Sequence, residues 1–156
     1  MEDDIVMYCT FEAAGRLFGV PLIDIKEITD KTSCTRIPHA PESVRGYVNI
    51  RGQIILGLDL KRILDLPFNE EEQAKRLVIF KSTVGPAFGL LVDEIGEIEK
   101  VSRRDIAADT SNLSALMQGP SGLIKDVCKL PNQLLVVLDP RKFLPIIEKE
   151  LHQPSL

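Results

Sequence analysis

Apolar and polar positions alternate with a period of two along most of this chain, in short runs broken by glycine and proline. Ile5, Met7, Cys9 and Phe11 alternate with Val6, Tyr8, Thr10 and Glu12, the period of a strand. Ala13-Ala14-Gly15-Arg16 supplies a turn, and Leu17 to Leu22 returns as a second strand that should end or lie at an edge by Pro21. Ile23 to Ile28 is predicted as one helical turn, followed by an extended segment to Ile37. Pro41 suits the start of a second short helical turn, with Gly46 as its left-handed cap. Tyr47–Ile50 and Ile54–Leu58 read as an antiparallel pair closed by Arg51-Gly52-Gln53, and Asp59 caps a short helix through Leu64.

The second half repeats this style. Leu77–Ser82 and Ala87–Val92 flank a turn, Asp93–Val101 continues extended, and 107–119 reads as a long loop. Gly122–Leu130 and Gln133–Leu138 form a hairpin across Pro131-Asn132. Asp139-Pro140 then starts a helix carrying Phe143, Leu144, Ile147 and Leu151 on one side. Many short strands and few helices predict a mainly β protein of two small barrels sharing a core. Residues 66–75, with Glu70, Glu71 and Glu72 in a row, read as the linker. That divides a single domain over 5–150 into subdomains of about 17–66 and about 75–140, with the N-terminal strand shared.

Composition narrows the function. The chain has 156 residues, of which 44% are hydrophobic and 27% charged, enough for a packed soluble domain. A net charge of −4 argues against a nucleic-acid footprint. Cys9, Cys34 and Cys128 have no metal-ligand spacing, so neither a disulfide framework nor a metal site is expected. No cofactor is expected either, since the glycines form no phosphate-binding fingerprint. An acidic start and the lack of a ~20-residue apolar run predict a cytoplasmic protein without direct membrane insertion.

The residues that remain are surface features rather than reagents. Cys34 and His39 lack a third, orienting group, so no catalysis is expected. Arg51 sits in a strand-to-strand corner among Gly46, Asn49 and Gly52, a rigid setting that suits a planar guanidinium to recognition. An ordinary solvated arginine is the plain alternative. Glu27 is its expected mate. Gly89 and Gly122 lie in apolar strand patterns, where a bulge, a barrel bend or a close backbone approach would each require glycine.

Several spaced motifs together resemble the CheW family of chemosensory adaptors. They are Phe18-Gly19-Val20-Pro21-Leu22, Ile25-Lys26-Glu27-Ile28, Ile37-Pro38 with Pro41 and Gly46, Asn49-Ile50-Arg51-Gly52, Asp59-Leu60, Gly89-Leu90-Leu91-Val92-Asp93 and Gly122. The resemblance runs from about Val6 to Phe143. It implies two intertwined, five-stranded, SH3-like β-barrels with short helices and a C-terminal helix. It implies a non-enzymatic scaffold that couples the cytoplasmic tips of chemoreceptors (methyl-accepting chemotaxis proteins) to the regulatory domain of the histidine kinase CheA. Such a protein is cytoplasmic and reaches receptor arrays through its partners. Receptor or kinase contact is implied at Ile25, Glu27, Gly46, Asn49, Arg51, Gly52, Gly89 and Gly122. An adaptor of another chemosensory pathway, such as surface motility, fits the same motifs, and a small-molecule-sensing barrel is the remaining alternative. The chain departs from the family's pattern at Leu56, where proline is usual, and in 126–132, which reads as longer than a typical hairpin.

Overall fold

A computed structural model describes residues 4–67, 69, 73–107 and 122–151. The strands are β1 (Ile5–Ala13), β2 (Arg16–Pro21), β3 (Ile25–Thr29), β4 (Val44–Ile50), β5 (Gln53–Asp59), β6 (Arg76–Phe80), β7 (Phe88–Val92), β8 (Glu94–Ser102), β9 (Ile106–Ala107), β10 (Ile124–Lys129) and β11 (Leu134–Leu138). Helix α1 (Leu60–Ile63) follows β5, and α2 (Phe143–Leu151) ends the described chain. The strands form two sheets, ordered β3-β6-β7-β5-β4 and β8-β1-β2-β11-β10-β9.

The first sheet is built from one uninterrupted stretch, 25–92, and is called here the continuous barrel. Its edge strand β3 meets the tip of the β4–β5 hairpin, since Lys26 Nζ on β3 donates to Gln53 Oε1 at the start of β5 at 3.0 Å, beside a Glu27–Arg51 ion pair. The second sheet joins β1 and β2 to β8–β11 and is called the split barrel. The two-residue β9 is its sixth strand. Together they make the mainly β, intertwined two-barrel architecture.

Strand pairing corrects the expected division of the chain. The segment 66–75 does not separate the barrels, because its described ends are both tied to the continuous one. Leu66 N–H donates to the Lys61 carbonyl at 2.8 Å and Lys75 N–H to that of Val92 at 3.1 Å. Parallel pairing of β5 with β7 demands a crossover between them, and this acidic segment is part of it. The chain instead changes barrels at 22–24, between β2 and β3, and at Asp93, between β7 and β8.

Local expectations fare unevenly. Asp59 and Asp139 cap as read, each accepting from the backbone N–H two residues on, at 3.1 and 3.0 Å. The first helical turn is a 3-10 turn at Leu22–Asp24, so Ile25 already belongs to β3. Gly46 caps nothing. It lies in a bulge of β4 at φ +135°, and a Cβ there would stand 2.1 Å from the Thr35 carbonyl oxygen. Leu151 is exposed, while Phe143 and Ile147 anchor α2. The stretch 108–119 of the expected loop lies outside the described residues. Leu56 uses the N–H that proline would lack, donating to Ala87 O at 3.1 Å.

Each barrel has a small aliphatic core, Val48, Ile50, Ile55, Leu77, Ile79 and Leu91 in one, and Val101, Leu135 and Val137 with Tyr8 and Cys128 in the other. Between them lies a larger shared core that gathers Phe11, Phe18, Phe80, Phe88 and Phe143. Strands β6, β7 and β11 therefore bury both faces, which is why they read as unbroken apolar runs rather than alternating ones.

Superposing strand roles exposes an internal repeat. β3, β6, β7, β5 and β4 correspond to β8, β1, β2, β11 and β10. Phe18-Gly19 through Ile25-Lys26-Glu27-Ile28 matches Phe88-Gly89 through Ile95-Gly96-Glu97-Ile98 without a gap, and Val44–Leu64 matches Ile124–Leu144 likewise. Even the bulges correspond, at Val44/Gly46 and Ile124/Asp126. The 126–132 segment is thus no longer than 46–52, and the expectation of a long hairpin fails because the extra residue is the bulge.

Candidate functional site

The tip of the β4–β5 hairpin is held from three sides. Arg51 and Gly52 both have positive φ, +51° and +86°, the combination that lets a two-residue turn follow the strand twist. Glycine adopts this freely, but arginine does so at a cost of roughly 1 kcal/mol. Asn49 offsets part of that, its Oδ1 accepting the Gly52 N–H at 2.9 Å. Glu27, on the far edge strand, accepts a hydrogen bond from the Arg51 guanidinium. The arginine side chain is 66% exposed and the glutamate 26%, so the pair adds only ~0–1 kcal/mol to stability. Its consequence is orientation, because a bent turn and a half-buried carboxylate fix where the remaining guanidinium donors point.

Around this tip the surface is apolar in patches. Tyr47 and Ile54 are exposed on the hairpin, and Ile28 on the strand that bears Glu27. Ile25 is half-buried against the shared core. The structure thus brings Glu27, Asn49, Arg51 and Gly52 together, with Gly46 shaping the same hairpin from behind. Gly89 lies apart, buried in β7, where a Cβ would meet Val78 O at 2.7 Å and Leu77 Cδ1 at 2.9 Å. Its counterpart in the repeat, Gly19, is less tightly enclosed: a Cβ there would meet Leu135 Cδ1 at 3.0 Å and the Cys9 carbonyl oxygen at 3.3 Å. Gly89 is therefore a packing residue and no contact surface. Gly122 is exposed in a turn before β10 at φ +86°, not within the strand.

Two ion pairs at the crossovers were not anticipated. Where the chain leaves the continuous barrel, Asp93 accepts from Lys61 Nζ at 2.9 Å and from Ala14 N–H at 2.9 Å. Where it leaves the split barrel, Asp24 takes both guanidinium nitrogens of Arg141 at 3.1 and 3.3 Å. Lys61 and Arg141 occupy matching places, two residues past the capping aspartates. The signal was the repeat itself, above all the recurrent Ile-x-Glu-Ile and Leu-Asp steps, which are readable without a structure.

The two groups with the largest displacement of acidity, Tyr8 and Cys128, sit in the split barrel's interior. Burial pushes the Tyr8 phenol up to about 12, with Cys128 and Asp126 adding to the effect, and the Cys128 thiol up to about 11. Among the described residues no three His, Cys, Asp or Glu side chains are grouped to hold a metal, and no helix is long and apolar enough to cross a membrane.

A pinned two-barrel body that displays an oriented arginine and exposed isoleucines defines a class, an adaptor domain that works by holding other proteins. The chain belongs to the CheW-like domain family, whose model matches residues 7–148. Members of that family are non-enzymatic scaffolds of chemotaxis signalling. The chain is 32% identical over 96 residues to the chemotaxis protein CheW of Rhizobium meliloti, an alignment covering 62% of this chain and 61% of that one. It is 26% identical to CheW of Thermotoga maritima over 135 residues, covering 86% and 85%. The crystal structure of the scaffolding protein TtCheW from Thermoanaerobacter tengcongensis matches with a TM-score of 0.76 at 23% identity, covering 86% of this chain and 89% of that one, which shows the common fold.

Proposed function

We propose that this protein is a chemotaxis adaptor that couples the cytoplasmic tip of a chemoreceptor to the regulatory domain of the histidine kinase CheA. It works in the cytoplasm and reaches membrane-bound receptor arrays through these partners. The observation that carries the reading is internal to the chain. Two hairpins of equal length, cap and bulge end in different tips, Arg51-Gly52 in one barrel and Pro131-Asn132 in the other. The fold evidently builds this hairpin without an arginine or a left-handed turn. The strained, glutamate-steered Arg51 is therefore best explained by what it grips.

The two outer faces support a role between partners. Ile28 and Ile54 on the continuous barrel correspond to Ile98 and Leu134 on the split one, and all four are exposed. One body thus offers two related but distinguishable surfaces: the glutamate recurs as Glu97, but Asn49 and Arg51 correspond to Lys129 and Pro131 in the repeat and stand on only one of them. Gly46, Gly52 and Gly122 contribute by shaping the backbone, and Ile25 by seating the start of β3.

The test is a pull-down with a CheA regulatory domain and a receptor cytoplasmic fragment. The wild-type chain should retain both, and Arg51→Glu should lose one. Combining Arg51→Glu with Glu27→Arg should recover binding better than either single change. A folded wild-type chain that retains neither partner would overturn the assignment.

A further inference from the structure

Consecutive side chains on a regular strand point to opposite faces, so Lys26 and Glu27 should not both reach the β4–β5 tip. They do so because β3 is bulged at Lys26. Ile25 pairs with Phe80 and Glu27 with Ile79, which leaves Lys26 as the extra residue. A bulge breaks the alternation and re-aims a side chain. Lys26 Nζ accordingly donates to Gln53 Oε1 at 3.0 Å, while Glu27 holds the Arg51 guanidinium. Gln53 directly follows Arg51-Gly52 and pairs with Ile50 across the turn, so the lysine ties the base of the turn that carries Arg51.

The repeat shows that the fold does not need this tie. The split barrel has a bulge at the matching place, where Ile95 pairs with Phe11 and Ile98 with Cys9, leaving Thr10 opposite Gly96 and Glu97. The Thr10 hydroxyl donates to the Glu97 carbonyl there, and a Cβ on Gly96 would stand 2.5 Å from Thr10 Oγ1. That bulge is thus closed by a threonine from the neighbouring strand. In the continuous barrel Ile79 takes the place of Thr10 and belongs to the small aliphatic core, and the bulged residue is an exposed lysine. Gln133 stands where Gln53 does, but Gly96 offers no side chain to meet it. A glutamine at the base of the hairpin is common to both barrels, whereas the lysine that ties it belongs only to the barrel bearing Arg51.

We propose that Lys26 is a positioning residue for partner binding, acting through Gln53 to hold the left-handed turn that aims Arg51. The inference rests on the reading of Arg51 as a partner contact. A bond from an ammonium to an amide oxygen is charge-assisted. Its effect is to narrow the positions the tip samples before a partner arrives, an ordering cost otherwise met on binding.

The experiment uses the full chain labelled with 15N. Relaxation of the Arg51 Nε–H and of the Gly52 amide, at mildly acidic pH, reports motion of the tip without any partner. Titration with the partner lost by Arg51→Glu reports binding. Lys26→Met keeps the aliphatic stem and removes the donor, so it should make both signals more mobile and weaken binding by about threefold to tenfold. Gln53→Met should do the same, and the two changes together should be no worse than one. Lys26→Arg, which still donates, should keep both readouts near wild type. With Arg51 replaced by alanine, Lys26→Met should weaken binding no further. Unchanged relaxation in Lys26→Met would overturn the inference, as would a binding loss that Gln53→Met does not share, since Lys26 would then be a direct contact. Binding that depends on Arg51 but not on Lys26 strikes this inference alone, whereas an Arg51→Glu variant that loses no partner strikes the reading beneath it as well.

Discussion

The continuous and split barrels share one strand plan, one pair of aspartate caps and one pair of bulges, yet they differ at the hairpin tip, the edge covering and the chain order. What both retain is what the fold requires. Each has a glycine in the central strand, Gly89 or Gly19, whose missing Cβ admits the neighbouring carbonyl. Each has a cation two residues past the cap that reaches the carboxylate at its own crossover. What only one retains is free to serve something else. Arg51-Gly52 falls in that second group, as does the Thr35 bridge to Tyr47, which covers the β4 edge where the split barrel uses β9. A chain compared with itself thus separates scaffold from surface.

That separation breaks first, if it breaks at all, at the glycines. Gly46→Ala should be the most damaging substitution, costing ~3 kcal/mol or more, because both its φ and the Thr35 carbonyl exclude a side chain. Gly89→Ala should cost about 2–3 kcal/mol, since its Cβ would meet backbone at 2.7 Å. Gly19→Ala should cost only about 1 kcal/mol, because its nearest obstacle is the Leu135 methyl at 3.0 Å, which can rotate. Urea unfolding would rank them, and equal losses at Gly19 and Gly89 would contradict the packing account.

The crossover pairs make a finer test. In each, one partner is buried and the other is in contact with solvent: Lys61 against Asp93, and Asp24 against Arg141. Removing the exposed partner leaves a buried charge uncompensated, so Asp93→Asn and Arg141→Gln should each cost about 2–3 kcal/mol. Replacing the buried partner removes the problem with the charge, so Lys61→Met and Asp24→Asn should cost about 1 kcal/mol. The reverse order would show that these pairs act through packing of their stems instead.

Alkaline pH should distinguish the interiors. The Cys128 thiol and the Tyr8 phenol both ionise less readily in the folded split barrel than in the unfolded chain. Their contribution is complete below the unfolded values of 9.0 and 10.0 and is lost as pH rises toward the folded values of about 11 and 12. Cys128→Val should flatten the fall in stability that begins near 9.0, read as the urea midpoint against pH. A slope unchanged by that substitution would remove the thiol as its cause.

The smallest effect on stability, and the most informative on binding, belongs to the tips. Replacing Arg51-Gly52 by Pro-Asn should alter stability by less than ~1 kcal/mol, because the matching hairpin is built that way. Partner retention should nevertheless fall as it does for Arg51→Glu. Substituting Pro131-Asn132 by Ala-Gly should leave retention by the Arg51-dependent partner unchanged.

Much of this was legible in the sequence wherever the cause is local. Alternation found the strands, and Asp59 and Asp139 announced their helices because a cap acts within two residues. The Arg51–Glu27 pairing was also expected, and the approach of β3 to the β4–β5 tip delivers it. What failed depends on distant neighbours. Residues 66–75 look like a linker because acidic composition reports solvation, not which sheet the flanking strands enter. Gly46 looked like a helix cap because the carbonyl that demands it belongs to Thr35. The unbroken apolar runs 77–80 and 135–138 carried the sign of two-sided burial, and with it the shared core.

The exchange of strands at 22–24 and 93 also sets a timetable for synthesis. Residues 25–92 hold every strand of one sheet, so that half can close as soon as its own segment has left the ribosome. The β1–β2 hairpin emerges earlier yet must wait for β8 and β11, with Phe11 and Phe18 uncovered in the interval. Limited proteolysis of nascent chains stalled near residue 130, where the segment through Val92 has cleared the exit tunnel, should therefore find 25–92 resistant and the first 21 residues still open to cleavage.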